Sequence, residues 1–67
     1  MNDNLHSLSR RLIELRMEHA DLDNLIDKAL VEQPDDELVL RRLKKRRLAL
    51  RDQISRLEAE LDPPEPA

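Results

Sequence analysis

Six of the seven residues from Arg41 to Arg47 are basic, and such a run is the kind of sequence that binds phosphate groups. Successive residues of an α-helix point about 100° apart, so the run as a whole surrounds its helix and forms no single stripe. The chain carries a formal net charge of −3 and has no aromatic side chain to stack on a base. We therefore predict a solvated helix face that also meets an acidic partner helix. The alternative is phosphate binding by Arg41, Arg42 and Lys45.

Arg47 is the most unusual member of the run, because it falls in an otherwise apolar series along its helix. A charged side chain in such a position is costly unless it is paired. We expect its aliphatic stem to pack on Leu22 while its guanidinium reaches Glu18 or Asp23. The alternative is a polar layer that fixes helix register or partner choice. His19 is the polar member of the other series, one layer away from Arg47, and we expect it to be packed and hydrogen-bonded.

Apolar positions spaced alternately by three and four residues form two series, and this spacing predicts two amphipathic helices. The first series is Leu5, Leu8, Leu12, Leu15, His19, Leu22, Ile26 and Ala29, and the second is Leu40, Leu43, Arg47, Leu50, Ile54, Leu57 and Leu61. Pro34 lies between them and stops the first helix. We predict helix 1 over about 4–32, a turn at about 33–35, helix 2 over about 35–61, and a disordered proline-rich tail over 62–67.

The short connection makes the two helices antiparallel neighbours, and the two series fix their register. If the chain folds between Pro34 and Asp35, residues whose numbers add to about 69 face each other, and the two series interlock. The flanking charges that this register brings together are Asp23 with Lys44, Arg11 with Glu60, and Arg16 with Arg51, the last pair being repulsive unless Glu58 or Asp52 intervenes. The sequence thus predicts an all-α fold, an antiparallel two-helix hairpin of the coiled-coil type.

Several apolar residues lie off the two series, namely Ile13, Met17, Leu25, Leu30, Val31, Leu38, Val39 and Leu48. One interpretation is that they are the scattered exposed apolar residues common on protein surfaces. However, a hairpin that buries one stripe per helix is marginally stable, and the residues at 30–31 and 38–39 gather at the turn. We predict that a second copy covers them in a four-helix bundle formed by self-association.

Composition disfavours several function classes. The absence of cysteine removes thiolate metal sites and fits a reducing compartment. His6 and His19 would lie about 20 Å apart along a helix, so we expect no metal site.

The sequence MNDNLHSLSRR has no apolar signal core, and no apolar run approaches the roughly 20 residues of a membrane span. A two-helix hairpin also offers no catalytic pocket. We expect a cytoplasmic, non-enzymatic protein without cofactor or membrane association.

Three groups of residues occur in order along the chain: Glu18-His19-x-x-Leu22-Asp23-x-x-Ile26, Asp36-Glu37-Leu38, and Leu43-Lys44-Lys45-x-Arg47-Leu48-x-Leu50-Arg51-Asp52-x-Ile54. Together they resemble the YdcH family of small bacterial proteins of unknown function, over roughly residues 5–57. The chain departs mildly from the family pattern at Arg51-Asp52-Gln53-Ile54, where the family favours Lys-Asp-Glu-Ile. The resemblance implies a bacterial, cytoplasmic helical hairpin and supplies no established activity.

The predicted register gathers five residues of this pattern near the middle of the hairpin: Glu18, His19, Asp23, Lys44 and Arg47. Such a cluster would suit either a structural polar layer or a recognition surface for a partner protein. We predict a protein–protein interaction module that self-associates and docks a further, unidentified protein. The alternative is a nucleic-acid-associated accessory protein that binds phosphates through residues 41–47.

Overall fold

The computed structural model describes residues 4–62, together with the side chains of residues 6–62. Two α-helices make up this part of the chain, α1 at Asn4–Glu32 and α2 at Glu37–Leu61. Both lie where the apolar spacing predicts helices, and residues 4–62 contain no strand. The predicted tail lies outside the described residues apart from Asp62, whose amide donates to the carbonyl of Glu58 at 2.8 Å and ends α2.

The turn between the helices is one residue longer than predicted, because α2 begins at Glu37 and not at Asp35. The end of α1 lies where the sequence places it. Past that end, the amide of Asp36 donates to the carbonyl of Gln33 at 3.1 Å and closes a β-turn. Pro34 is the second residue of this turn, a position that suits its fixed φ angle, so it precedes the helix instead of starting it.

Asp36 caps the N-terminus of α2. Its Oδ1 accepts a hydrogen bond from the backbone N–H of Val39 at 3.1 Å, and its carbonyl accepts one from the N–H of Leu40 at 3.2 Å. The first turn of a helix leaves its N–H groups without intrahelical partners, and an aspartate at this position supplies one. Glu37 adds a carboxylate in the first turn, where the helix dipole favours negative charge.

Replacing Asp36 with alanine is expected to lower the free energy of unfolding by about 0.5–2 kcal/mol, because the N–H of Val39 loses its acceptor. Urea unfolding followed by far-UV circular dichroism measures this loss. Asp35→Ala is the matched control, since the Asp35 side chain is exposed and accepts no hydrogen bond within the described residues. Equal losses in the two variants would show that the cap contributes nothing.

The core is one stripe along each helix, and it coincides with the two predicted series. The buried residues are Leu12, Leu15, Leu22, Ile26, Ala29 and Leu50. The other members of the series between Leu8 and Leu61 are half-buried, and three of them, Leu43, Ile54 and Leu57, pack against the buried cluster. Because only Leu50 of α2 is buried, α1 is the better covered helix and α2 is the more open to solvent.

The helices are antiparallel, as predicted. An early residue of α1, Arg16, contacts the late residue Glu58 of α2, whereas Asp23 further along α1 contacts Arg47 nearer the start of α2. In a parallel pair, later residues of one helix would meet later residues of the other. Ile54, which the predicted register places opposite Leu15, packs against the buried cluster that contains Leu15.

The flanking charges follow the predicted register only in part. The predicted repulsion at Arg16 is relieved by Glu58, whose Oε2 accepts a hydrogen bond from Arg16 Nη2 at 2.7 Å. Arg11 forms no ion pair with Glu60 and instead lies 3.7 Å from the carboxylate of Glu14 on its own helix. Both pairs are exposed, so each is worth about 0.2–1 kcal/mol and the apolar stripes determine the register.

Candidate functional site

Asp23 connects the two helices through its two carboxylate oxygens. On α1, His19 lies one helical turn before it, with His19 Nδ1 at 3.3 Å from Asp23 Oδ2. From α2, Arg47 Nη1 donates a hydrogen bond to Asp23 Oδ1 at 3.1 Å. We call His19, Asp23 and Arg47 the polar layer. The guanidinium of Arg47 therefore reaches one of the two acids that the sequence analysis assigns to it.

Two atoms of the polar layer are buried and lack a partner. Among the described residues, Nε2 of His19 and Nε of Arg47 have no hydrogen bond. The side chain of Arg47 is only 31% exposed, so its stem is largely covered while its tip reaches the edge of the seam. A buried donor without an acceptor costs about 1–3 kcal/mol. Within the described residues, the hydrogen bonding of the polar layer is therefore only partly satisfied.

Glu18 and Lys44 belong to the predicted cluster but not to the polar layer. Glu18 points to the other side of the seam, where its Oε1 lies 3.5 Å from Arg46 Nη2. Lys44 makes no ion pair with Asp23, whose two oxygens contact His19 and Arg47. The predicted cluster of five residues thus separates into the polar layer, one exposed ion pair and an outward lysine.

The basic run divides between the inside and the outside of the hairpin. Arg46 and Arg47 contact acids of α1, as expected for a run that faces an acidic partner helix. The four remaining cations are exposed and make no ion pair within residues 6–62: Arg41, Arg42, Lys44 and Lys45. The fold therefore neutralises two cations of the run and leaves four available.

An open groove along α2 collects three of these four cations. Its lining consists of Glu37, Leu40, Arg41, Lys44, Lys45 and Leu48, and we call it the α2 groove. Positions 41, 44, 45 and 48 follow the i, i+3, i+4, i+7 spacing of one helix face. The prediction that the run forms no single stripe holds for the run as a whole but overlooks this face. Arg42, which belongs with Arg41 and Lys45 to the alternative of phosphate binding, is not part of the lining.

A second open groove follows the seam between the helices, lined by Arg16, His19, Arg51, Ile54, Ser55 and Glu58. The predicted register brings Arg16, Arg51 and Glu58 together, but no spacing along a single helix indicates this groove, because its lining comes from both helices. Glu58 is held by Arg16, so Arg51 is the cation of this groove that makes no ion pair within the described residues. With two arginines and one carboxylate, it is less basic than the α2 groove.

Two further features are absent from the part of the chain that the structure describes. Within residues 6–62, no three His, Asp or Glu side chains come together in a way that could hold a metal ion. Over the same residues, neither helix has the length and apolar character needed to cross a membrane.

The stretch of chain that forms the polar layer and the α2 groove is also the stretch that matches a known protein family. A family model described as "protein of unknown function (DUF465)" matches residues 12–58, which are 47 of the 67 residues. No curated protein and no solved structure matches the chain. Because the family match covers well over half of its length, the chain belongs to the DUF465 family of proteins of unknown function.

Proposed function

We propose that this protein is a non-enzymatic interaction module that docks an acidic, amphipathic helix of a partner protein in the α2 groove. The observation that supports this most strongly is the composition of the groove. Leu40 and Leu48 supply apolar surface, while Arg41, Lys44 and Lys45 supply three cations with no ion pair within the described residues.

The groove has dimensions that suit a helix. From Glu37 to Leu48 it extends about 17 Å along α2, which corresponds to three helical turns. Leu48 is 64% exposed, and an amphipathic helix could cover it with its own apolar stripe. Acidic residues beside that stripe would then lie close to Arg41 and Lys45. Apolar contact would give the affinity, and the charges would select the partner.

Nucleic-acid binding is the second candidate function, and the observation that favours it is that four cations of the basic run make no ion pair within the described residues. Two features of the groove favour a protein instead. Its leucines offer nothing to a phosphate backbone, and Glu37 at its end repels one. The chain as a whole is also acidic, with a formal net charge of −3.

Fluorescence polarisation separates the two candidates. The probe is a labelled amphipathic peptide of about four helical turns with leucines at i, i+4, i+7 and i+11 and glutamates beside them. We expect micromolar binding that weakens about tenfold or more in Arg41→Glu/Lys45→Glu, because the variant places like charges against the peptide. The matched control is Arg51→Glu/Arg56→Glu, which makes the same change of charge on α2 outside the groove.

Labelled duplex DNA and RNA are titrated in parallel from about 50 to 200 mM salt. Tighter binding to a duplex than to the peptide, with a steep loss in salt, would replace the protein partner with nucleic acid. Equal losses of peptide binding in the two charge variants would show that general attraction, and not the α2 groove, binds the peptide.

We further propose that the hairpin packs in the coiled-coil manner and self-associates into a four-helix assembly. The supporting observation is that seven large apolar residues stay 46–81% exposed, among them Leu30, Val31 and Leu38 near the turn.

We also infer that the chain is YdcH-like within its family, on the three groups of residues from Glu18 to Ile54. A cytoplasmic location remains a prediction from the composition.

A further inference from the structure

One edge of the hairpin carries exposed apolar side chains, with Asn24 and Asp27 among them, and has no partner within the described residues. On α1, Ile13, Met17, Ala20, Asn24 and Val31 follow a heptad-like spacing of their own, and we call them the outer stripe. Their angular positions on the helix are opposite to Leu15, so they point away from α2. All five are exposed, with Val31 at 81% and Met17 at 63%.

The opposite edge of the hairpin has a different character. Along α2, the face turned away from α1 carries Arg41 and Lys45 of the α2 groove and, further on, Asp52, with Leu38 and Leu48 as its large apolar residues. In a head-to-tail array, the apolar edge of one copy would meet the charged edge of the next, which is unfavourable. When two apolar edges meet, each covers the other.

We propose that the outer stripe docks against the outer stripe of a second copy of this chain, with the two α1 helices antiparallel. The inference deepens the proposed function, because it rests on the proposed self-association and specifies the surface. The contact is isologous, which is the usual arrangement in homodimers. Ile13 of one copy then lies near Val31 of the other, and Ala20 near Asn24, across a two-fold axis at the middle of α1.

Charge complementarity supports the antiparallel arrangement. On one side of the outer stripe, Glu14 of each copy lies opposite Lys28 of the other, and on the opposite side Arg16 lies opposite Asp27. Asp27 and Lys28 make no ion pair within the described residues, whereas Glu14 also contacts Arg11 and Arg16 also contacts Glu58 within the hairpin. Asp21, which meets its own copy near the axis, is the one like-charged approach.

A parallel arrangement is less favourable. Asp27 continues the heptad spacing between Asn24 and Val31, so parallel stripes would place Asp27 directly against Asp27 of the second copy. In the antiparallel arrangement the same position faces Met17, and its carboxylate can turn toward Arg16. The stripe extends about 27 Å from Ile13 to Val31.

The dimer has a consequence for the proposed docking function. Because the outer stripe and the α2 groove lie on opposite edges of the hairpin, a dimer through α1 leaves both grooves exposed at its two ends. Two grooves on one particle bind a partner with two acidic helices more tightly than a single groove can. Self-association and partner docking would therefore use separate surfaces and would not compete.

The first test is sedimentation equilibrium of the whole chain and of two matched variants. We expect the parent to dimerise, and Met17→Glu to raise the dissociation constant about 100-fold or more, because it places a charge in the contact. Leu25→Glu is the control: Leu25 is 52% exposed on α1 but lies outside the outer stripe, so this variant should dimerise like the parent. Far-UV circular dichroism verifies that both variants remain helical.

The second test exchanges the flanking charges. Glu14→Lys and Lys28→Glu should each weaken the dimer, since each creates two repulsive pairs, whereas the double variant should restore it. Failure of the double variant to restore the dimer would overturn the antiparallel arrangement. A dimer that Leu25→Glu disrupts and Met17→Glu does not would overturn the outer stripe while leaving the proposed self-association intact. A parent that stays monomeric would overturn both, and peptide binding to the α2 groove would be unaffected.

Discussion

Leu15→Ala is expected to leave most of the protein unfolded at room temperature. Leu15 is 1% exposed and belongs to the buried cluster with Leu22, Ile26 and Leu50. Removing its side chain loses the burial of the missing atoms and opens a cavity, at a cost of about 2–5 kcal/mol. A chain of this size has a stability of only a few kcal/mol, so one such change is comparable to the whole.

Thermal and urea unfolding followed by circular dichroism measure the effect, and Ile54→Ala is the comparison. Ile54 lies opposite Leu15 in the predicted register but is only half-buried, because α2 is the more open helix. Its truncation should therefore cost less than that of Leu15. If Ile54→Ala cost as much as Leu15→Ala, the unequal burial of the two helices would be wrong.

Arg47→Leu is expected to raise the free energy of unfolding by about 1–3 kcal/mol. Arg47 occupies an apolar seam, and its Nε is buried without a partner among the described residues. Replacing buried charged groups with apolar side chains of similar size is often stabilising, provided that no partner is left as an uncompensated buried charge. Asp23 would lose one contact, but it is 44% exposed and can be hydrated.

Asp23→Ala is the informative counterpart, because it removes the acceptor and keeps the arginine. We expect a loss of about 1 kcal/mol, since Arg47 and His19 then lose the carboxylate that both contact. The same unfolding experiments compare the two variants with the parent. A large loss of stability in Arg47→Leu would show that the polar layer stabilises the hairpin and does not merely select its alignment.

The fold could be predicted from the sequence because apolar spacing determines it almost alone. The two series interlock in a single register, and every member with a described side chain is buried or half-buried. The first residue of α2 could not be predicted from the spacing. Asp36 competes with its neighbours Asp35 and Glu37 for the cap, and only the folded turn shows which carboxylate reaches the N–H of Val39.

The candidate site was predicted in part. The contact of Arg47 with Asp23 follows from the register, because Arg47 faces Leu22, the residue just before Asp23. The other contacts depend on the side-chain conformations, which the register does not determine. Glu18 pairs with Arg46, and Lys44 lines the α2 groove with Arg41. The spacing that places Arg41, Lys44 and Lys45 on one face is present in the sequence. A run that is basic almost throughout conceals that periodicity.

We propose that the fold pairs the inward cations of the basic run with acids of α1 and leaves the α2 groove for an acidic partner. The most direct measurement is the change in amide chemical shifts of isotope-labelled protein as the acidic amphipathic peptide is added. We predict that the largest changes cluster at residues 37–48 of α2. Largest changes around Arg16 and Arg51, or an equal response to a lysine version of the peptide, would contradict the claim.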